Sequence, residues 1–259
     1  MKNFFFVLIF LTKFTWGNST ISPQTFQINI KPILSSIIQD YYQMLSLFKG
    51  YPPEIISIVK LFNNLEDEKK SLGNICSQKN PNDCFTLLAK IKNQINEIET
   101  LSLGLLGNIE LENSLYFNSI IGIRQVTELH LGLMELKYKL SQISFLQYTK
   151  IKNQKSPYRL MKMIDELQLK SSLCLIDFVP RQYKEEIKTF YFDFIFPLER
   201  QLKRDSNVIF FNQRLNALNF SLNLLNQNLT KRNKKTPEGW APYLLTIHNK
   251  WNSIFRYYK

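Results

Sequence analysis

The stretch Val126-Thr127-Glu128-Leu129-His130-Leu131-Gly132-Leu133-Met134-Glu135-Leu136-Lys137-Tyr138-Lys139-Leu140-Ser141-Gln142-Ile143 decides the fold class. Val126, Leu129, Leu133, Leu136, Leu140 and Ile143 recur at alternating steps of three and four. Each helical residue turns the chain by about 100°, so this spacing gathers all of them on one side of an α-helix and leaves polar positions opposite.

The same rhythm runs through most of the chain. Leu34, Ile37, Tyr41, Met44 and Phe48 form one stripe, and Ile55, Ile58, Phe62 and Leu65 a second. A third carries Leu88, Ile91, Ile95 and Ile98, and beyond the opening stretch come Leu160, Met163 and Leu167. The run Phe190, Tyr191, Phe192, Phe194 and Phe196 is unusually aromatic. Leu215, Leu218, Leu222, Leu225 and Leu229, then Leu244, Ile247, Trp251, Ile254 and Tyr258, complete the set.

Breakers separate the stripes. Gly50 and Pro52-Pro53 supply a stop and a start, Ser156-Pro157 and Pro180 open helices, and Pro197 is expected to kink or end one. Asn82 or Asp83 is a candidate cap for the third helix, and Gly104 and Gly107 mark an expected break or kink. Glu66-Asp67-Glu68-Lys69-Lys70 reads as a solvated helix end or exposed turn. No segment sustains a period of two between turn signals, which argues against a substantial sheet. The expectation is an all-α, antiparallel multi-helix bundle of about seven or eight helices.

The amino terminus carries a different message. Met1-Lys2-Asn3 is followed by the uncharged Phe4-Phe5-Phe6-Val7-Leu8-Ile9-Phe10-Leu11 and then by Thr15-Trp16-Gly17. A basic start, a short apolar run and small residues two apart fit a secretory signal peptide over 1–17. A membrane anchor would need about 20 apolar residues, and Lys13 interrupts the run first. Residues 18–259 are then one helical domain, with candidate subdivisions near 104–112 or 231–239. The expected location is extracellular, or periplasmic in a Gram-negative cell.

Export puts the three cysteines in an oxidising setting. Cys76 and Cys84 flank the turn-forming Ser-Gln-Lys-Asn-Pro-Asn-Asp between two helical stripes, and are expected to pair. Cys174, within Leu173-Cys174-Leu175-Ile176, reads as a small buried hydrophobe.

Residues that carry chemistry are sparse. His130 and His248 lack Glu-x-x-His spacing or a haem motif, so no metal site and no cofactor are expected. Phosphate-binding glycine motifs are absent. Cys174 with Asp177 and a histidine is the sole nucleophile constellation that can be named, and nothing in the sequence brings these residues together. No catalytic residue is assigned. Asn18-Ser19-Thr20, Asn219-Phe220-Ser221 and Asn228-Leu229-Thr230 match the glycosylation pattern, but an asparagine-rich chain yields about three such matches by composition.

Charge is the remaining signal. The chain holds 33 Lys+Arg against 21 Asp+Glu, a formal net charge of +12 that becomes +10 when Lys2 and Lys13 leave with the signal. Lys231, Arg232, Lys234 and Lys235 form the densest cluster, just ahead of Trp240, Tyr243 and Trp251. Lys150, Lys152, Lys155, Arg159 and Lys162 form a second basic stretch. These point to an anionic partner: a protein surface, an acidic glycan or a membrane, with nucleic acid disfavoured by export. The leading expectation is a secreted, non-enzymatic interaction protein, and the alternative is a carrier of an apolar ligand in the bundle, with the aromatic run lining its cavity. An exported enzyme with an unrecognised site ranks behind both.

Overall fold

A computed structural model describes residues 21–48, 51–77, 81–111, 119–142, 156–202, 208–231 and 239–258. They form eight helices, with no strand among the described residues. These are α1 (23–46), α2 (Pro53–Ser77), α3 (Pro81–Leu111), α4 (Ser119–Gln142), α5 (Ser156–Asp177), α6 (184–202), α7 (Val208–Lys231) and α8 (Trp240–Ile254). The all-α bundle is therefore as the apolar spacing implies. The signal-peptide segment 1–17 lies outside the described residues.

Helices α2 to α5 close into a four-membered ring in which each touches its two chain neighbours and α2 meets α5. Side-chain pairs give the directions. Lys90 reaches Glu68 and Asn108 reaches Glu54, so α3 runs antiparallel to α2. Lys137 pairs with Glu99 and Ser102 with His130, and α4 reverses again. Lys170 approaches Glu128, Lys139 approaches Met163, and Lys69 takes Asp165, which orients α5 against both α4 and α2. A Cβ added to Gly132 would sit 2.5 Å from Leu167 Cδ2, so the absence of a side chain there lets α4 and α5 approach.

Around one side lies a second set. Helix α1 is antiparallel to α8, since Lys250 meets Ser36 and Asp40 while Phe48 just beyond α1 meets Trp240, and to α6, since Tyr41 meets Phe190 and Tyr191 while Phe48 meets Tyr183 just ahead of α6. Helix α7 joins α8 through Asn219 with Trp251 and Asn212 with Tyr258. Gly239 adopts φ +84°, a left-handed conformation open to glycine, and turns Trp240 inward against Phe48 and Tyr183. All the buried apolar side chains of both sets belong to one connected cluster.

Cys76 and Cys84 form a disulfide with their Cα atoms 4.9 Å apart, stapling the end of α2 to the first turn of α3. Asn82 and Asp83 stand inside that first turn instead of ahead of it, because Pro81 already begins the helix.

Three local expectations are corrected. Helix α3 continues through Gly104 and Gly107 to Leu111 without breaking, since packing of its apolar face outweighs the weaker propensity of two glycines. The charged run Glu66 to Lys70 is internal to α2, with Glu66, Glu68 and Lys69 buried. Lys69 Nζ holds Glu66 at 2.5 Å and also Asp165, while Lys90 holds Glu68 at 2.6 Å, so the buried charges are compensated. Pro197 does not end α6, which instead distorts just ahead of it. A wider turn over Tyr191–Ile195 precedes it, in which the Phe196 N–H reaches back to the Tyr191 carbonyl, five residues away. The missing proline N–H and its ring are thereby accommodated inside a continuous helix. Helix α1 repeats the device: Lys31 N–H bonds to the Phe26 carbonyl directly ahead of Pro32.

Two outcomes follow for stability. Replacing both Cys76 and Cys84 by serine is expected to lower unfolding free energy by about 2–3 kcal/mol, seen as a lower urea midpoint with unchanged slope. Lys69→Ala leaves Glu66 buried without its nearest cation and is expected to cost about 3 kcal/mol or more, whereas the double variant Glu66→Gln, Lys69→Met recovers most of the loss.

Candidate functional site

Where α1 and α6 meet α2 and α5, the apolar core gives way to a cluster of polar side chains. Its centre is Glu199 on α6, almost wholly removed from solvent. Tyr42 Oη of α1 donates to Glu199 Oε1, and Tyr191 Oη donates to Oε2 at 3.4 Å. Ser172 Oγ of α5 lies 3.1 Å from Tyr191 Oη, and Gln168 Nε2 donates to Asn63 Oδ1 of α2 at 2.9 Å. Tyr51 Oη, from the connection between α1 and α2, donates to the Leu175 carbonyl at 2.9 Å.

The wide turn in α6 makes the centre of this cluster. Tyr191 and Glu199 are eight residues apart. In an ideal helix that leaves them about 80° apart around the axis, and one extra residue in a turn takes up roughly that angle. Both side chains therefore share a face.

Burial dominates the electrostatics. Desolvation pushes the Glu199 carboxyl up to about 7, against the downward pull of donors from Tyr42, Asn63 and Tyr191 and of the Lys60 charge. The Asn63 contribution is weak in geometry, as its Nδ2 completes no hydrogen bond of ordinary length and angle. Lys60 Nζ sits 5.2 Å from the centre of the Tyr42 ring, above its face and not on the carboxylate. Tyr42 and Tyr191 are held far above the usual phenol range, by burial first and the neighbouring carboxylate second. Tyr41, alongside them, has a buried hydroxyl with no partner.

The residues singled out from the sequence lie elsewhere. Of the basic cluster, Lys231 closes the backbone of α7, while Arg232, Lys234 and Lys235 lie outside the described residues. Lys150, Lys152 and Lys155 are outside them too, whereas Arg159 and Lys162 are exposed on α5. His130 is a boundary residue on α4, its Nδ1 2.8 Å from Ser102 Oγ, and His248 is half-buried on α8. Asp177 is engaged by Lys184. Asn219 Oδ1 accepts from Trp251 Nε1 at 3.1 Å, and Asn18 and the Asn228 side chain lie outside the described residues. Among the described residues no group of three His, Cys, Asp or Glu is placed to hold a metal ion.

Sequence reasoning passed over Glu199 entirely. The signal that marks it is an acidic residue within a helix whose flanking positions, Phe194, Ile195 and Leu198, are apolar and buried. A search of protein-family models, curated proteins and solved structures finds no match to this chain.

Cys174 is fully buried, and desolvation followed by the charge of Asp177 pushes its thiol up to about 12. It is a packing residue. In native protein at pH 8 it is expected to resist iodoacetamide for as long as the fold persists, and to be alkylated within minutes once denaturant is added, by intact mass.

Proposed function

We propose that the chain is a secreted, non-enzymatic helical interaction protein that presents a basic surface to an anionic partner. The observation that carries this reading is the excess of 33 Lys+Arg over 21 Asp+Glu. Several of the acids are committed to bridges between helices, Asp40 with Lys250, Glu68 with Lys90, Glu99 with Lys137 and Asp165 with Lys69. Each bridge removes one charge of either sign, so the cationic surplus persists outside them. Lysines and arginines in surplus attract lipid headgroups, sulfated or carboxylated glycans and acidic protein faces through the same long-range field.

The disulfide is compatible with an extracellular setting, where such bonds persist. Burial holds the Cys174 thiol protonated, which disfavours it as a nucleophile.

The test is direct. Purified protein is expected to bind phosphatidylserine-containing vesicles, heparin or an acidic surface protein at about 50 mM salt and to release most of it by about 300 mM, as screening shortens the reach of the charges. Replacing Lys231, Arg232, Lys234 and Lys235 together by glutamine is expected to weaken that binding without changing the thermal midpoint. Failure to bind all three at low salt would overturn the reading.

A further inference from the structure

We infer that the seam between the two helix sets is a pH-operated latch: protonated Glu199 holds α1 and α6 against α2 and α5, and its ionisation loosens that contact. The argument starts from what surrounds the carboxyl. Tyr41 and Tyr42 face it from α1, Lys60 and Asn63 from α2, Gln168 and Ser172 from the α5 side of the cluster, and Tyr191 from α6. Lys60 is the cation of this group; it stands over the Tyr42 ring and favours the charged carboxylate from a distance without pairing with it. Among the described residues no Lys, Arg or His lies within ion-pairing distance of Glu199.

The contrast with Glu66 and Glu68 isolates the point. Those carboxylates are equally buried, but each has a lysine nitrogen within 2.6 Å. Glu199 has hydroxyl donors in place of a counter-ion, so a negative charge there is stabilised only in part, and the seam is tightest with the proton in place.

The direction with pH is fixed by linkage. An opened seam exposes Glu199 to water, where it ionises in the ordinary carboxylate range, while the closed seam retains the proton to about pH 7. Closed protein therefore binds more protons between those limits. The latch contributes fully below the ordinary carboxylate range, weakens as pH rises to about 7 and changes little above it. Tyr41, Tyr42 and Tyr191 are pushed well above the usual phenol range and stay protonated throughout that window.

Opening is confined to the seam by the covalent and ionic architecture. The α2–α5 ring keeps its disulfide and its own bridges whichever way Glu199 titrates. The elements that would part from it, α1 and α6, are the two that contain wide turns.

Hydrogen exchange of the full chain from pH 5 to pH 8, corrected for the intrinsic pH dependence of amide chemistry, tests the latch. Protection over 38–46 and 190–202 is expected to fall roughly 10- to 100-fold across that range, while α3 and α4 hold theirs. Glu199→Gln is expected to stay protected at pH 8 and to lose the pH dependence. Tyr42→Phe removes a donor to the charged form and is expected to move the midpoint to higher pH, which decides the matter if the glutamine variant does not fold. A flat profile in the wild type, an equal loss in every helix, or a Tyr42→Phe midpoint that does not rise overturns the inference.

Discussion

The second helix set depends on the burial of α6. This helix touches α1, α5 and α7, and Phe194 meets Trp251 of α8, so only one stripe, with Glu185, Lys188, Asp193 and Arg200, is left for water. A helix enclosed on this many sides needs a wide apolar face, and Phe190, Tyr191, Phe194, Ile195 and Leu198 supply it. Phe190 stacks on Phe194, whose edge meets Trp251, while Tyr41 packs against both Phe190 and Tyr191. The same enclosure explains why Pro197 is absorbed by a wide turn: an enclosed helix that ended there would strand backbone groups away from solvent.

Enclosure also sets the terms on which charge is admitted. The four-helix ring takes its buried charges in opposite-sign pairs, Lys69 with Glu66 and Asp165 at its middle, Lys90 with Glu68 on the flank. The seam takes a single carboxyl and surrounds it with hydroxyls. In the first arrangement Coulomb attraction to a neighbouring lysine offsets desolvation, and in the second the offset depends on the proton. Two solutions to one physical problem thus stand side by side in one core, and they differ in what can move them.

What the sequence revealed and what it concealed divide along the range of the interactions. The stripe from Val126 to Leu140 is buried as its spacing demands, as are Leu34 to Phe48 and Leu244 to Ile254, because amphipathic periodicity is written into neighbouring residues. The Cys76–Cys84 bridge closes a loop short enough to be read locally. The run Glu66 to Lys70 was misread because local composition looks solvated, and the partner that helps bury Lys69, Asp165, is 96 positions away. Glu199 was missed for the same reason: its donor Tyr42 is 157 positions distant. Both depend on which helices become neighbours, and a chain of alternating apolar faces leaves that choice to loops and packing.

The division of labour among the charges follows from the same geometry. Bridges such as Lys250 with Asp40, Lys184 with Asp177 and Lys137 with Glu99 link elements of the fold, so a cation taken from one of them disturbs helix packing before it disturbs any partner. Lys231, Arg232, Lys234 and Lys235 lie in sequence between the apolar stripes of α7 and α8, two helices that contain no acid. A charge there adds to the field of the protein without being needed to compensate a buried acid of α7 or α8. On the proposed function, loss of binding on neutralising Lys231, Arg232, Lys234 and Lys235 reads out charge, whereas loss on neutralising Lys69 or Lys250 reads out the core. An anionic partner that responded equally to both would be recognising the folded arrangement of the helices, and one that responded to the first alone would be recognising charge.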